Sequence, residues 1–202
     1  MRRGISSYAF AKSDCSVTAL EPDSSHLVGS TAIGALFAKT GLPVNIVEEA
    51  GENLPFPDET FDIVYGRAVF HHVNDLTQFY REAHRVLKTN GIFIMTREHV
   101  ISCKEDLKIF LDTHPLHFLY GGESAYLLEE YLEAICLSGL KVQNTIGSFE
   151  NVINYAPTTV SEFQQMVVQP YLRFLGKRLA KMLSKLQFFI KWRGQILSRK
   201  SE

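Results

Sequence analysis

The chain has 202 residues, 46% hydrophobic and 21% charged, with a formal net charge of −1. That length suits one domain with a substantial core, and that composition excludes disordered and fibrous classes. No apolar run approaches the roughly 20 residues of a membrane span, and the basic start Met1-Arg2-Arg3-Gly4-Ile5 lacks the apolar stretch of a secretion signal.

In chain order, Gly4–Lys12 reads as a helix opening on a glycine, and Ser16–Leu20 as a short strand ended by Glu21-Pro22-Asp23. Ser24 or Ser25 is placed to cap a helix running through Lys39. Leu27, Val28, Ile33, Leu36 and Phe37 form its apolar side, and Gly41 closes it. Val44–Val47 is the next strand. Phe61–Tyr65 and Ile92–Met95 are unalternating apolar runs, the pattern of strands buried on both faces of a parallel sheet. Between them Asp75–Lys88 has helical spacing, with Asn74 or Asp75 as cap and Asn90-Gly91 as the expected stop, so the whole reads as a βαβ unit. Lys104–Leu111 looks helical, and His114–Glu123 is a loop rich in histidine and aromatic residues. Ser124 is expected to cap a helix that bears Leu127, Leu128, Tyr131, Leu132 and Ile135 and ends at Gly139, with a strand from Leu140 to Val142.

From Thr158 the pattern turns helical again, interrupted near Pro170. Leu172, Leu175, Leu179, Met182, Leu183, Leu186 and Phe189 form a stripe interleaved with Arg173, Lys177, Arg178, Lys181 and Lys185. From Phe163 onward nine Lys/Arg face one acid, Glu202, so that segment carries +8 and the remainder −9. Such a basic amphipathic helix either packs its stripe on the domain or lies on an anionic membrane surface. With no nucleic-acid motif in the chain, RNA or DNA is not an expected partner. The sequence therefore divides into an α/β domain at 1–157 and a basic helical segment at 158–202. Cys15, Cys103 and Cys136 form no CxxC pair and are expected to be reduced, mostly buried thiols in a cytoplasmic protein.

Three positions suggest chemistry. Glu21, at a strand end 17 residues past Gly4, is placed to accept both hydroxyls of a ribose, as in proteins that bind nicotinamide or S-adenosyl cofactors. An exposed acid at a strand–loop junction has the same signature. His71 and His72 are adjacent, so their side chains diverge, and no HxxxH spacing suggests a metal. His71 is either a general base or a histidine closing its loop on the backbone. His114, His117 and Tyr120, in a loop of the kind that carries specificity, either touch substrate or cap the core.

The ordered series Leu54-Pro55-Phe56-Pro57-Asp58-Glu59-Thr60-Phe61-Asp62-Ile63-Val64, then His71-His72-Val73, then Arg85-Val86-Leu87-Lys88 and Gly91, resembles the class I S-adenosylmethionine-dependent methyltransferases. The subgroup it resembles includes the ubiquinone/menaquinone C-methyltransferases. The resemblance implies a Rossmann-like, doubly wound, mostly parallel α/β sheet with helices on both faces. It also implies S-adenosylmethionine as cofactor and methyl transfer to a small-molecule acceptor. Gly4 matches the last glycine of the family's cofactor loop. The earlier glycines and the first strand have no counterpart, so the chain is expected to be incomplete at its N-terminus. The acid that usually meets the adenine aligns with Ala50, leaving Gly51 and Glu52 to offer backbone groups. Arg67, Phe70 and His71 fall on the strand end that faces cofactor and substrate. Two alternatives stand beside this reading: an inactive remnant lacking the glycine-rich loop, and a nicotinamide-dependent oxidoreductase.

Overall fold

The computed structural model describes residues 4–113, 124–147, 151–155, 158–169 and 182. The elements are α1 (Ile5–Lys12), β1 (Thr18–Leu20), α2 (Ser30–Thr40), β2 (Asn45–Val47), β3 (Phe61–Arg67), α3 (Leu76–Val86) and β4 (Leu87–Thr96). They continue with β5 (Val100–Ile101), α4 (Asp106–Thr113), β6 (Tyr126–Leu127), α5 (Leu128–Leu137), α6 (Val152–Tyr155) and α7 (Val160–Val168). The expected α/β class holds. Strands pair as β1–β2, β3–β4 and β5–β6, in three two-stranded sheets. The first and last pairs are parallel. Thr60 N–H donates to Val86 O at the start of the β3–β4 pair and Ala68 N–H to Thr96 O at its end, so these strands run in the same direction too.

The chain divides into two compact units, residues 1–64, 73–93 and 137–140 in one and residues 65–72, 94–136 and 141–202 in the other. In the first unit, Ala11, Ala19, Ile33 and Phe37 form a buried cluster between α1, β1 and α2, with Tyr8, Val17, Leu36, Leu42, Val44 and Ile46 against it. A second apolar group collects under α3, where Leu76, Tyr80, Ala83 and Val86 are buried and Phe93 packs edge-on to both Phe79 and Tyr80. Burying a side chain of the Val or Phe class contributes about 1.5–3 kcal/mol, so these faces hold the helix more firmly than propensity does. In the second unit Phe70, Ile101, Tyr131, Ala134 and Phe163 are buried.

Several boundaries depart from expectation, each for a local reason. The helix expected from Ser24 or Ser25 begins only at Ser30. Asp23 accepts from Ser25 N–H at 2.8 Å and from Ser25 Oγ at 2.8 Å, which holds the chain in a turn and leaves Leu27 63% exposed. Helix α3 does start where Asp75 caps it, its side chain accepting from Gln78 N–H. It ends at Val86, however, and passes into β4 without a loop. Glu59 and Thr60 N–H, entering β3, take the carbonyls of Arg85 and Val86, so the last turn is satisfied by the neighbouring strand. Asn90 does adopt the left-handed conformation, φ 66°, but inside the strand. Ser124 does not cap α5; Glu130 does the equivalent work by accepting from Leu127 N–H, and Tyr126–Leu127 pair with Val100–Ile101 instead. Residues 140–142 form no strand. Thr159 and Glu162 form a reciprocal capping box at the start of α7, where the sequence turns helical. Of the basic stripe only Met182 is described, and it is exposed. All three cysteines are exposed, which corrects the expectation of buried thiols.

Candidate functional site

In the first unit the candidate residues gather at the C-terminal ends of β1 and β2, the end at which open α/β sheets bind ligands. Glu21 follows Leu20 directly and continues the ladder, its N–H donating to Val47 O at 3.0 Å. Its carboxylate is half-buried. Oε1 accepts from Asp23 N–H at 3.1 Å, and Oε2 accepts no hydrogen bond among the described residues. Burial, the largest influence, pushes this carboxyl above its ordinary value; the Asp23 N–H works against that and the Asp23 charge with it. Beside it Ser30, buried at the start of α2, donates its hydroxyl to Glu48 just after β2, and its N–H goes to Asp23 O. A half-buried carboxylate with one oxygen still available has the chemistry to accept a sugar hydroxyl.

Gly4 sits at the N-cap of α1 in the left-handed conformation, φ 73°, and its carbonyl accepts from Tyr8 N–H. Gly51 has a packing reason of its own: a Cβ there would overlap the Phe79 ring. Glu52 Oε1 accepts from Asn74 N–H at 3.1 Å and its carbonyl from Gln78 Nε2, so this residue ties its loop to the start of α3. Around these, Arg85 anchors the 54–58 loop. Its guanidinium donates to the carbonyls of Leu54 and Phe56 and to the carboxylates of Asp58 and Glu82. Hydrogen bonding to Arg85 holds the Glu82 carboxyl below the usual carboxylate range, and these partners hold the guanidinium further above its own. The Leu-Pro-Phe-Pro-Asp and Arg-Val-Leu-Lys pieces of the sequence are thus two halves of one structural staple.

The second unit holds a different cluster. It is built where β3 and β4 end, on two residues with backbones that side chains rarely adopt, Ala68 at φ 48° and Arg97 at φ 56°. A non-glycine residue in that region costs about 1–2 kcal/mol, and such strain collects at functional sites. Just beyond Arg97 the Glu98 carboxylate turns into the unit, 3% exposed. Oε2 accepts from the N–H groups of Val69 and Phe70, at 3.1 and 3.0 Å, and Oε1 from those of His71 and His99, at 3.1 and 3.2 Å. His71, equally buried, brings its Nδ1 into a short hydrogen bond with the same Oε1. Burial, the largest influence on Glu98, pushes its carboxyl up. The His71 hydrogen bond and charge, with the N–H groups of Phe70 and His99, more than offset this and hold it below the usual range. The His72 ring lies 4.1 Å from that of His71 and the His99 ring 4.5 Å, edge-on. Phe70, buried, rests its ring on Gly66, while Arg67 at the end of β3 is half-buried with no ion pair among the described residues.

The structure thus brings Glu21 together with Asp23, Ser30 and Glu48, and brings His71 and Phe70 together around Glu98, a residue that sequence reasoning missed. Its only sequence signal is an acid three residues beyond an apolar run, a weaker form of the signal that marked Glu21. His114, His117 and Tyr120 lie outside the described residues.

Residues 2–95 match the family described as a methyltransferase domain. The ubiquinone biosynthesis O-methyltransferase of Rhizobium etli is 28% identical over 157 residues, 75% of this chain and 61% of its own. Geranyl diphosphate methyltransferase, solved in complex with S-adenosylmethionine, shares the fold with a TM-score of 0.62 at 17% identity, over 82% of this chain and 62% of that one. The chain thus resembles the S-adenosylmethionine-dependent methyltransferases, with a family match that covers just under half of it. YcgJ of Bacillus subtilis, an uncharacterised methyltransferase, is 42% identical over 52 residues, 26% of this chain and 21% of its own. Its crystal structure gives a TM-score of 0.62 at 20% identity, covering 82% of this chain and 71% of that one. The chain spans less than two thirds of the length of the curated relatives named here. The similarity to methyltransferases favours that reading over the nicotinamide alternative, and a ubiquinone methyltransferase among the relatives agrees with the subgroup resemblance.

Proposed function

We propose that this chain binds S-adenosylmethionine and transfers its methyl group to a small polar or lipid-linked acceptor. The observation that carries this reading is the half-buried Glu21 carboxylate at the end of a parallel β1–β2 pair, with one oxygen available for a ribose hydroxyl. In this reading Gly4, Gly51 and Glu52 contribute backbone groups to the cofactor. In the second unit, Arg67, which has no ion pair among the described residues, and Phe70 are assigned to the cofactor by the resemblance alone. His71 is the candidate base. When bound, the cofactor supplies a sulfonium methyl that is already a strong electrophile. The chain's contribution is then to align the acceptor atom with that methyl and to exclude water. A cytoplasmic setting and contact of the basic C-terminal segment with a membrane belong to the same proposal.

Calorimetric titration tests it. S-adenosylmethionine is expected to give saturable binding and a reduced nicotinamide dinucleotide none. Glu21→Ala is expected to lose about 1.5–3 kcal/mol of cofactor affinity, the range for hydrogen bonds to a charged group. Unchanged affinity in that variant would remove Glu21 from the site.

A further inference from the structure

Past α5, in the second unit, the chain holds a stretch with the composition of a strand and no strand beside it. Residues 141–147 run without a helix, turn or bend, and all seven are exposed. The stretch is pinned at its far end, where Asn154 Nδ2 donates to the carbonyls of Ile146 and Gly147 at 3.2 and 2.9 Å. Before that pin, no N–H or carbonyl of residues 141–145 has a hydrogen-bond partner among the described residues. Val142, Thr145 and Ile146 are β-branched, and Lys141 carries the only charge of the seven. Val142 and Ile146 are 50% and 42% exposed, and Ile153, next to Asn154 on α6, adds a third exposed aliphatic side chain. An extended segment with a bare backbone is a template for another strand.

The order of the side chains decides which strand fits. Laid antiparallel against a copy of itself with Asn144 at the centre, the segment sets Val142 opposite Ile146 twice, Gln143 opposite Thr145 twice, and Asn144 opposite its own copy. Lys141 falls opposite Gly147, so no like charges meet. Alternation places both Val142–Ile146 pairs on one face of the ribbon, where such cross-strand contacts stabilise pairing. In a parallel register Lys141 would instead oppose Lys141, which is unfavourable. An antiparallel pair of identical strands has a two-fold axis through its centre, the commonest symmetry of soluble oligomers. We propose that residues 141–147 are a dimerisation strand that pairs antiparallel, around Asn144, with the same residues of a second copy of this chain. The contact is small, so the dimer belongs to the weak, reversible class. It also accounts for the missing strand at 140–142: the sequence has strand character, and the backbone that completes the ladder belongs to another molecule. Methyl transfer plays no part in the pairing, which stands or falls apart from the function proposed above.

Sedimentation equilibrium of the full chain over a range of concentrations measures the association. The average mass is expected to rise with concentration from 22.9 kDa toward twice that value. Amide hydrogen exchange is expected to slow at alternate residues of 141–147, and only as the dimer forms, because alternate N–H groups face the partner strand. Two substitutions read the register. Val142→Lys and Ile146→Glu, each alone, are expected to weaken self-association about threefold to tenfold, the effect of losing two apolar cross-strand pairs. Mixed in equal amounts, the two variants are expected to associate more tightly than either alone. The antiparallel register then sets the new ammonium against the new carboxylate and restores one Val142–Ile146 pair. Both side chains are exposed, so the melting temperature of the monomer is expected to be unchanged. A chain that stays at 22.9 kDa at every concentration overturns the proposal. So does a dimer that forms without slowing exchange at 141–147, since it then uses another surface. Both results are read on the unmodified chain, even where a variant does not fold.

Discussion

Replacing Arg85 with alanine puts the staple beneath the candidate cofactor loop to a quantitative test. The side chain makes five hydrogen bonds of 2.7 to 2.9 Å, two to Glu82, two to the Leu54 and Phe56 carbonyls and one to Asp58. They are unequal. Asp58 is 73% exposed, so its ion pair belongs with surface pairs and contributes at most about 1 kcal/mol. Glu82 is 13% exposed and already accepts from Leu54 N–H, so losing its cationic partner leaves a largely buried carboxylate half-satisfied. The two carbonyls lose charge-assisted donors, each nominally about 1.5–3 kcal/mol, discounted because Arg85 itself is 31% exposed and water can partly replace it. Allowing for non-additivity within one network, Arg85→Ala is expected to cost about 2–4 kcal/mol. For a chain of this size that corresponds to a fall in melting temperature of roughly 5–15 °C. Arg85→Lys is expected to recover less than half, since an ammonium cannot reproduce a planar fork aimed at a carboxylate and two carbonyls together. Urea denaturation of the three proteins measures this. A loss below about 1 kcal/mol for the alanine variant, with an unchanged denaturant slope, would show that the staple is a surface decoration and refute the reasoning.

Three further outcomes are expected. Ala68→Gly relieves a left-handed backbone at a cost in chain entropy, so it is expected to stabilise the protein by about 0.5–1 kcal/mol, read from the urea midpoint. Glu98 has its folded value held below the unfolded one, so its contribution is present above the unfolded carboxylate value, about pH 4.3, and is lost as pH falls through the folded value. Acid titration of stability is therefore expected to show a steeper decline below that pH in the native chain than in Glu98→Gln, and parallel curves would contradict this. If the basic segment beyond Phe163 serves a membrane, anionic vesicles should sediment the protein at low salt and release it at high salt. Equal sedimentation with neutral vesicles would return the segment to a packing role.

Periodicity and turn chemistry made the βαβ unit legible, because Phe61–Tyr65, the α3 stripe and Ile92–Met95 are local patterns. Asp75 was readable as a cap for the same reason. Asn90-Gly91 misled because the left-handed conformation it favours fits a strand as well as a helix end. What stops α3 is a pair of N–H groups arriving from Glu59 and Thr60, more than twenty residues earlier. Glu98 was illegible for a related reason. Three of the four N–H groups that hold it belong to a turn 27 to 29 residues before it, and backbone donors leave no mark in a sequence. It also lies three residues past the end of the family match. Glu21 could be singled out because a strand end and a glycine lie close to it along the chain, whereas Arg67 came only from the family resemblance. The exposure of all three cysteines had no such local sign.

The absence of any loop between α3 and β4 fixes the chain's length at one point. Elsewhere an extra residue would be absorbed by a turn, as at Ser13–Asp14 or in the 23–29 segment. Between Val86 and Leu87 there is no slack. One inserted residue would invert the pleat of all ten residues of β4, turning Phe93 away from Phe79 and Tyr80 and sending the side chains that now point inward to the opposite side of the ribbon. Two would preserve the alternation yet slide the strand by a full repeat past β3, moving its end, and Glu98 with it, about 6.6 Å along. Drift in length among descendants of this gene should therefore accumulate in the 23–29 turn, with the helix-to-strand joint staying free of insertions and deletions.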